Sequence, residues 1–534
     1  MKIVTTEEMR CAEQQVVDAG DATWAGLMDQ AGKAVADEVL ARLKKKSKRK
    51  RSWRILALVG PGNNGGDALV AGRYLREAGL SVTAYLWKRK TDDDPLAQAL
   101  TEQEGEILHT EDDKNLTKLS RALDRADVVV DGLLGMGLIR PLEGRLQEIV
   151  KRVNEAQCPL VLAVDLPTGV HGDTGQVLGV GIQAHVTVTM ALPKRGLYQF
   201  PGAGLAGDVV VADIGIASDL LGDVKVEVLD VARLRDALPP RPRGAHKGTF
   251  GRVLIVAGSL HYTGAPYLAA MGAYRIGAGL VTLASPRTIY PALAAKAVEP
   301  TFLPLPEFVP GAIGEEAIKP LTEVIDRYQA MVVGCGLGQE TETVSFVRRF
   351  LQMRERGHPG IGFLVRDEEE FTWELPPLVL DADGLNALAG VPEWWRSLPA
   401  GRVVLTPHPG EMARLLGASQ EEVLSSRIAI AQRAATTWQQ VVVFKGAYSV
   451  IAHPDGRVVV NPTATPALAT AGTGDVLAGA VAGFLGQGAS PFAAALLGVY
   501  LHGLAGEILE EDVGTVGGIA GEILERLPLA LRRL

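Results

Sequence analysis

The chain has 534 residues, with 54 lysines and arginines against 62 aspartates and glutamates, so its formal net charge is −8. This balance argues against general nucleic-acid binding, which requires a basic face. Hydrophobic residues make up 47% of the chain and charged residues 22%, which is ordinary for a globular protein. The length suffices for more than one domain of roughly 100–200 residues.

The cysteines and the apolar runs bear on the compartment in which the protein works. Cys11, Cys158 and Cys335 are far apart and odd in number, so no disulfide framework or zinc spacing follows. The first residues lack a signal-peptide core, and no uncharged apolar run reaches about 18 residues, the length of a membrane span. We therefore expect a cytoplasmic protein with no membrane partner and no nucleic-acid partner. The basic run from Lys44 to Arg51 is interpreted as a solvated loop.

Short β-branched runs alternate with helical segments along the chain. In chain order, the predicted strands lie at 54–59, 81–87, 127–134, 159–166, 185–190, 208–216, 252–258, 280–285, 330–336, 377–383, 402–407 and 440–446. Continuous apolar strands separated by helices indicate parallel sheets that are covered on both faces. The Pro- and Arg-rich segment 226–245 is expected to be a linker between domains at 1–225 and 246–534. The polar patch 354–377 is expected to be an insertion or a surface hairpin.

The first predicted strand is followed by the run Gly60-Pro-Gly-Asn-Asn-Gly-Gly-Asp67 and then by a helical pattern. We expect Gly62, Gly65 and Gly66 to take positive φ and to let an anion approach the N–H groups, at a helix N-terminus that favours a phosphate. The competing interpretation is a plain tight turn.

Two further strands of this half end in a carboxylate. Asp131 is followed by a glycine loop that runs to Pro141, and Asp165 opens the run Asp-Leu-Pro-Thr-Gly. A strand-end aspartate is commonly only a cap or a turn residue. Three such strand ends in one domain nevertheless indicate a binding site, because ligands of parallel sheets lie beyond the carboxyl ends of the strands.

In this order, GNNGGD, DGLLGMGLIRP and DLPTG resemble the N-terminal domain of the NAD(P)H-hydrate repair enzymes, the NAD(P)HX epimerase, over residues 1–220. The resemblance implies a Rossmann-like domain that inverts C6 of the hydrated nicotinamide ring, with a K⁺ ion held by Asn64, Asp131 and Thr168. Thr168 stands where that family usually has serine, but the hydroxyl is kept. Asp165 is the candidate acid or base. The resemblance places the hydrated nucleotide against Asn63, Asn64, Gly65, Gly66, Asp67, Gly135, Met136, Gly137, Leu138, Ile139, Arg140, Pro141 and Asp165.

The second half carries HKGTFG at 246–251, VGCGLG at 333–338, TPHPGEMAR at 406–414 and ATAGTGDVLAG at 469–479. In the last run, Gly472 to Gly474 are expected to direct N–H groups at a terminal phosphate, at the start of a helix. Asp475, in the first turn of that helix, can take a proton from a hydroxyl that attacks the phosphate. A glycine turn followed by an aspartate cap is the competing interpretation. With Lys445-Gly446 at the end of a strand, the pattern predicts an adenine-nucleotide site.

With LVLDADGLNAL at 378–388, these motifs resemble the ADP/ATP-dependent NAD(P)H-hydrate dehydratase over residues 235–534, and the phosphate loop resembles that of the ribokinase superfamily. The resemblance implies that the C6 hydroxyl takes a phosphoryl group, which then leaves as phosphate, with ADP or ATP and Mg²⁺ as cofactors and Asp475 as base. It places the hydrated dinucleotide against Gly336, His408, Pro409, Gly410, Glu411, Met412, Ala413, Arg414 and Asp475. It places the adenine nucleotide against Lys445, Gly446, Ala447, Tyr448, Ser449, Thr465, Thr470, Ala471, Gly472, Thr473 and Gly474. His408 is equally well interpreted as a packed or N-cap histidine.

We thus expect two three-layer α/β/α domains with mostly parallel sheets, Rossmann-like and then ribokinase-like, in a bifunctional metabolite-repair enzyme. Its partners would be NADHX, NADPHX and ADP or ATP, and it is expected to form a homo-oligomer. The alternatives are a ribokinase-type kinase of a vitamin precursor and a binding protein whose first domain is a docking module. Thr463 and Thr465 stand where the dehydratase family commonly has glycine, so a stiffer loop would alter the preference between ADP and ATP.

Overall fold

The computed structural model of the protein describes residues 1–46, 52–353 and 373–534. These residues form two compact units, Lys2–Val226 and Glu227–Leu534, with Met1 assigned to the second. Part of the basic run 44–51 and most of the patch 354–377 lie outside the described residues. The segment that was expected to be a linker carries a strand, Val226–Val228, and a helix, Val231–Asp236.

Seven parallel strands form the sheet of the first unit, in the order β3-β2-β1-β4-β5-β6-β7. The strands are β1 (Arg54–Val59), β2 (Ser81–Leu86), β3 (Glu106–His109), β4 (Val128–Gly132), β5 (Val161–Val164), β6 (Val186–Met190) and β7 (Asp208–Ala212). The first six follow the order of the doubly wound nucleotide-binding fold, which opens a crevice where the strand order reverses, between β1 and β4.

Helices cover both faces of this sheet. They are α1 (Thr6–Asp18), α2 (Trp24–Lys46), α3 (Asn63–Glu77), α4 (Pro95–Glu102), α5 (Thr117–Arg125), α6 (Gly144–Glu155) and α7 (Ala203–Ala206). Alternate residues of a strand point to opposite faces. Ile55 and Ala57 accordingly pack in one buried cluster with α2 and α3, whereas Leu56 and Leu58 pack in another with α5 and α6. The unit therefore has three layers.

Ten strands form the sheet of the second unit, in the order β11-β10-β9-β12-β13-β14-β15-β16-β17-β8. The strands are β8 (Val226–Val228), β9 (Arg252–Val256), β10 (Leu280–Pro286), β11 (Thr301–Leu305), β12 (Ala330–Val333), β13 (Leu378–Leu380), β14 (Val403–Leu405), β15 (Val441–Phe444), β16 (Val450–Ala452) and β17 (Val458–Val460). From β11 to β15 neighbouring strands are parallel, and β16 and β17 continue the sheet as antiparallel strands. The prediction of mostly parallel α/β sheets is confirmed.

The helices of this unit pack closely where they carry small residues. They are α8 (Val231–Asp236), α9 (Gly264–Ile276), α10 (Tyr290–Lys296), α11 (Ile318–Thr322), α12 (Thr341–Phe350), α13 (Asp383–Leu388), α14 (Pro409–Leu416), α15 (Gln420–Ser425), α16 (Arg427–Trp438), α17 (Thr473–Gly486), α18 (Pro491–Val513) and α19 (Ala520–Arg533). A Cβ at Gly479 of α17 would lie 1.9 Å from the carbonyl oxygen of Ala269 in α9. Only glycine permits this approach, which fixes the depth of α17 in the core.

Helix α18 is long and apolar enough to cross a membrane by length and composition, with 23 residues. Of its most apolar window, 72% is buried inside the protein, as in a core helix. Its apolar character is thus accounted for by packing in the second unit.

All twelve predicted strands are present; β1 has the predicted bounds, β10 is one residue longer, and the other ten are shorter. Five strands were not predicted: β3, β8, β11, β16 and β17. They have three to five residues each and lie at or near a sheet edge. Strands this short lack the long apolar run that marks a central parallel strand, and β16 and β17 are antiparallel although they are buried.

Candidate functional site

The glycine-rich run lies where β1 ends, and α3 begins inside it at Asn63. The expectation of positive φ at Gly62, Gly65 and Gly66 is wrong, because Gly62 is extended, with φ of −96°, and the other two are helical. Gly65 and Gly66 serve close packing instead, whereas a Cβ at Gly62 would meet nothing within 4 Å. A Cβ at Gly65 would lie 2.1 Å from the carbonyl oxygen of Gly60. Their small size brings the N-terminus of α3 against the end of β1.

Asp131 lies near the end of β4 and is fully buried. Its carboxylate accepts hydrogen bonds from Thr168 Oγ1 at 2.7 Å, Thr168 N at 2.8 Å and Leu133 N at 3.2 Å. Burial raises the pKa of Asp131 to about 6, and no basic side chain among the described residues pairs with it. A buried carboxylate in this position is suited to a cation, since buried charges are normally paired or coordinate metals.

Asn64 lies beside the same group. Its Oδ1 is 3.0 Å from the position that a Cβ of Gly135 would occupy, and its buried Nδ2 has no hydrogen-bond partner in the described part of the chain. Leu134 N donates to Thr168 Oγ1 at 3.0 Å, so the loop after β4 links Asn64 to Thr168. Amide, carboxylate and hydroxyl oxygens of the three predicted K⁺ ligands therefore meet at one loop.

Asp165 follows β5 and holds a positive φ of 65°, which is strained for a residue other than glycine. Its Oδ1 accepts a hydrogen bond from Lys194 Nζ at 2.5 Å, from Thr189 Oγ1 at 3.1 Å and from Met190 N at 3.3 Å. The Lys194 side chain is completely buried. The ammonium and the end of β6 thus fix one oxygen of Asp165 and leave Oδ2 outside these bonds.

A cavity of about 480 Å³ lies at this edge of the sheet. Its lining combines predicted residues with several from α1 and α2: Arg10, Glu13, Gln14, Trp24, Gly62, Asn63, Asn64, Asp67, Leu133, Leu134, Gly135, Met136, Gly137, Asp165 and Met190. Burial raises the pKa of Asp67 well above its usual range, and the Asp165 and Glu13 carboxylates raise it further. Burial likewise raises the pKa of Glu13. The cavity wall therefore carries Asp67 and Glu13, whose pKa values are raised, beside Asp165, which is paired with Lys194.

The structure does not bring every predicted substrate residue to this cavity. Leu138 is buried in the core cluster on the α5 and α6 face, Ile139 is 82% exposed, and Arg140 and Pro141 are exposed. None of the four is among the residues that line the cavity.

In the second unit, Gly472 is left-handed, with φ of 91°, and precedes α17. Val476 N donates to Gly472 O at 3.3 Å, and the N–H groups of Gly474 and Asp475 have no main-chain acceptor among the described residues. The first N–H groups of a helix are free in this way and form an anion site. Thr473 Oγ1 donates to Leu468 O and is turned inward.

Asp475 stands beside this turn, with Oδ2 3.9 Å from the position of a Cβ on Gly472. Side-chain atoms of Asp475, Asp381 and Cys335 lie within 4.8 Å of one another. Burial, reinforced by the Asp381 carboxylate, raises the pKa of Asp475 to about 7. At neutral pH the group is thus close to half-protonated, which suits a general base.

Lys445 follows β15, and its Nζ lies 2.6 Å from Asp381 Oδ1 and 3.8 Å from Glu411 Oε2. Burial lowers the pKa of Lys445, but the two carboxylates raise it more, so the net shift is upward. Thr406 Oγ1 donates to the same Asp381 oxygen at 2.8 Å. A Cβ at Gly474 would lie 3.5 Å from Lys445 Nζ, so the ammonium lies next to the phosphate loop.

His408 is the N-cap of α14. The ring Nδ1 accepts a hydrogen bond from Gly410 N at 3.0 Å, and the main-chain N–H of His408 donates to Glu411 Oε2 at 2.8 Å. The neutral ring therefore carries its proton on Nε2, which lies 3.3 Å from Glu411 Oε1. Burial, with the nearby Lys445 charge, lowers the pKa of His408. The ring is half exposed, so capping leaves it free to contact a ligand as well.

Other predicted contacts of the hydrated dinucleotide differ in access. Gly336 has φ of 64° and approaches Tyr262 so closely that a Cβ there would lie 2.6 Å from Tyr262 Cβ. Arg414 is exposed and donates to Asn386 Oδ1 at 2.9 Å. Within α14, Pro409 is partly buried, whereas Gly410, Glu411, Met412 and Ala413 are buried.

The predicted nucleotide loop is tied down by its hydroxyls. Ser449 Oγ donates to Gly446 O at 2.8 Å, Thr465 Oγ1 to Glu510 Oε2 at 2.5 Å, and Thr470 Oγ1 to Gly518 O at 3.1 Å. These bonds hold the loop in place. The hydroxyl protons of Thr465 and Thr470 are donated to other protein groups and not to a ligand.

Comparison with known proteins agrees with the motifs. The family model described as NAD(P)H-hydrate dehydratase matches residues 253–529, and that described as YjeF-related protein N-terminus matches residues 25–196. The bifunctional NAD(P)H-hydrate repair enzyme Nnr of Moorella thermoacetica is 41% identical over 518 residues, covering 95% of this chain and 92% of its own. The chain belongs to the family of bifunctional NAD(P)H-hydrate repair enzymes.

Further relatives extend over the same length. The repair enzyme of this name from Thermofilum pendens is 38% identical over 542 residues, covering all of this chain and 97% of its own. Among solved structures, the ADP/ATP-dependent NAD(P)H-hydrate dehydratase from Bacillus subtilis, co-crystallized with ATP/Mg²⁺, is 30% identical. It covers 58% of this chain and 98% of its own, with a TM-score of 0.46. The full-length relatives favour the repair enzyme over the vitamin-precursor kinase.

Several residues of these sites in the repair enzyme were not predicted. Glu13 and Lys194 of the first unit carry no local motif, and only the folded chain brings them to Asp165 and Asp67. Asp381 directly follows β13. A carboxylate at a strand end is the same signal that marked Asp131 and Asp165, so this residue could have been predicted from the sequence.

Proposed function

We propose that the first unit interconverts the R and S forms of hydrated NADH and NADPH, and that the second unit dehydrates the S form at the expense of ADP or ATP. The full-length relationship to bifunctional repair enzymes supports both activities. For the second step, the observation that carries the proposal is Asp475, whose pKa is about 7 beside the free N–H groups of α17.

Epimerisation requires the bonding at C6 to be broken and remade. This carbon bears the ring nitrogen and a hydroxyl, so removal of the hydroxyl proton lets the C6–N bond open to an aldehyde, and closure on the other face inverts the centre. Asp165 is the proposed acid or base, since it lines the cavity and Lys194 holds its Oδ1. Asp67, with its pKa raised by burial, stands on the same wall.

The residues proposed for the K⁺ site fit an alkali cation. Asn64, Asp131 and Thr168 offer only hard oxygen ligands, and Asp131 is a buried carboxylate without a basic partner in the described part of the chain. A bound cation would supply the missing positive charge and hold the loop after β4, whose Gly135 to Gly137 line the cavity.

Dehydration requires the conversion of hydroxide, a poor leaving group, into phosphate. In the proposed step, Asp475 accepts the proton of the C6 hydroxyl, and the hydroxyl oxygen attacks the terminal phosphorus of the nucleotide. The bond from this phosphorus to the rest of the nucleotide breaks, so ADP leaves as AMP, or ATP leaves as ADP. The C6–O bond then breaks and phosphate leaves, while the lone pair of the ring nitrogen forms a double bond to C6. Loss of a proton from C5 restores the C5–C6 double bond of the ring. The N–H groups of Gly474 and Asp475 would hold the phosphoryl oxygens in place.

The nucleotide would lie between the Lys445–Ser449 and Thr465–Gly474 segments. Mg²⁺ commonly takes phosphate oxygens together with one or two carboxylates, and it would neutralise charge on the transferred group. Asp381, whose Oδ2 lies 3.9 Å from the position of a Cβ on Gly474, is a carboxylate near this loop that could face the ion, whereas the Cys335 thiol beside it is too soft a ligand. Lys445 supplies a fixed positive charge at the same point.

We also propose a cytoplasmic location, because Cys11, Cys158 and Cys335 are all free thiols. Oligomerisation stays a prediction of the sequence, and the association state in solution is to be measured by light scattering.

The experiment that tests the proposed function is incubation of the protein with mixed hydrate epimers, followed at the reduced-nicotinamide absorbance band. With ADP or ATP, all of the hydrate should return to NADH, including the R form. Rapid return of the S form alone, with the R form following only at the spontaneous epimerisation rate, would contradict the first activity. A stable phosphorylated product would contradict the second.

A further inference from the structure

Arg427, the first residue of α16, is a buried arginine that takes no part in the proposed catalytic steps. Its side chain is packed behind the segment that follows β15, and the residue is 5% exposed. Nη1 donates to Ala447 O at 2.6 Å, and Nη2 donates to Phe444 O at 3.0 Å and to Lys445 O at 3.1 Å. The guanidinium carbon lies 4.8 Å from the centre of the Phe444 ring. One side chain thus binds three main-chain carbonyl groups, those of Phe444, Lys445 and Ala447, where the chain leaves β15.

The arginine has no carboxylate partner within the described ranges. Burial alone lowers the pKa of Arg427 to about 10, and its Nε is buried without a hydrogen-bond partner there. Burying a guanidinium with only carbonyl partners is costly, and an apolar side chain of similar size would fill the space at lower cost. The planar fork, however, can hold several carbonyls at fixed angles, which an ammonium or an apolar chain cannot.

The loop that Arg427 holds carries the first residues of the proposed nucleotide site. Capture of Lys445 O fixes the direction in which this residue leaves β15, and its Nζ then reaches Asp381 at 2.6 Å, next to Gly474. Gly446 follows with φ of 144°, and a Cβ there would lie 2.8 Å from Arg427 Nη2. The glycine and the arginine therefore fit each other, and the loop conformation depends on both.

We propose that Arg427 is a positioning residue for the phosphoryl donor: it shapes the 444–447 turn so that Lys445 and the loop main chain receive ADP or ATP. This inference rests on the proposed dehydratase function. Arg427 itself is too enclosed to touch the nucleotide, so its effect is on the affinity for the donor and on the placement of Lys445. Its hydrogen bonds within the described residues go to the 444–447 turn and not to Gly336 or α14, where the hydrated dinucleotide is expected.

The test compares Arg427→Lys and Arg427→Met with wild type, and uses Arg433→Met as the matched control. Arg433 lies on the same helix and is exposed. The KM for ADP and for ATP should rise about tenfold or more in both Arg427 variants, while the KM for the S hydrate at saturating donor stays within about twofold. Arg433→Met should leave both constants unchanged. Arg427→Lys keeps the positive charge, so its KM for the donor tests the proposal even if Arg427→Met does not fold.

A third variant approaches the same contact from the loop. Gly446→Ala places a methyl against Arg427 Nη2 and should raise the donor KM in the same selective way. Donor constants within about twofold of wild type in folded variants, or equal rises in the donor and hydrate constants, would overturn the proposal. Wild-type dehydration that needs no ADP or ATP would instead contradict the proposed function itself.

Discussion

Lys194 Nζ lies 2.5 Å from Asp165 Oδ1, and the two side chains are 0% and 7% exposed. The lysine comes from the segment after β6, and the aspartate from the end of β5. Thr189 and Met190 bind the same oxygen, so the orientation of Asp165 is determined by three neighbours. The candidate acid or base of the epimerase cavity therefore does not stand alone but is part of a buried ion pair.

Removal of one member of this pair should be harmful in two ways. Lys194→Met leaves Asp165 buried without its partner, which should destabilise the first unit by about 3–5 kcal/mol. Interconversion of the hydrate epimers should fall by about a hundredfold or more, since the carboxylate loses its fixed orientation. Dehydration of purified S hydrate by the second unit should persist. The measurement is the epimerisation rate together with thermal unfolding.

Lys151→Met, an exposed change in the same unit, is the control and should alter neither quantity. If folded Lys194→Met epimerises the hydrate at the wild-type rate, the ion pair has no part in catalysis.

Asp475 is expected to act as its carboxylate. Because its pKa is raised to about 7, lowering the pH below 7 protonates the base, and the dehydration rate should fall roughly tenfold per pH unit. Above pH 7, Asp475→Asn should lower the rate by about 10²–10⁴, the ratio to wild type should shrink as the pH falls, and ADP affinity should stay nearly intact. The pH profile and calorimetric ADP titration measure the two effects. Asp512→Asn, an exposed carboxylate of the same unit, should keep the wild-type profile; a wild-type rate in Asp475→Asn would exclude this residue as the base.

Asp131 is expected to make epimerisation depend on K⁺. Asp131→Ala should abolish the difference between epimerisation rates in potassium and in tetramethylammonium buffers, since the central carboxylate of the proposed site is lost. Thr168→Ser retains the hydroxyl and should keep the dependence. A wild-type protein whose rate is equal in both buffers would refute the ion assignment.

Thr463 and Gly503 should be energetically coupled. A Cβ at Gly503 would lie 1.8 Å from Thr463 Oγ1, so Gly503→Ala should destabilise the second unit by about 1–3 kcal/mol through overpacking. Thr463→Gly removes the obstruction, and the double variant should regain about 1 kcal/mol or more relative to additivity. Denaturant unfolding measures the cycle. Gly521→Ala, which has open space, is the control; purely additive effects would contradict the contact.

The sequence sufficed for the central parallel strands and for the strand-end motifs, because both depend on local pattern, but it missed β3, β8, β11, β16 and β17. Continuous apolar runs identified the central parallel strands, and Asp131, Asp165 and Asp475 lie at a strand end or helix start as expected. The role of the opening glycines was misjudged. Whether glycine serves positive φ or close approach depends on the neighbouring strand, here through Gly60 and Gly65, and the local sequence does not reveal it.

The charged partners were beyond sequence reasoning for the same physical cause. Lys194 lies 29 residues along the chain from Asp165, its partner. Arg427 lies 17 to 20 residues from the carbonyl groups that it binds. No spacing rule relates such positions. Leu138 shows the reverse case, because it lies in a predicted binding loop but packs into the core.

The most direct test of two aspartate-centred sites is one time course of NADH absorbance, recorded with mixed hydrate epimers and ADP for wild type, Asp165→Asn and Asp475→Asn. Wild type should restore all of the NADH, Asp165→Asn should restore the S fraction rapidly and the remainder only at the spontaneous rate, and Asp475→Asn should restore almost none. Rapid and complete recovery with either variant would contradict the account.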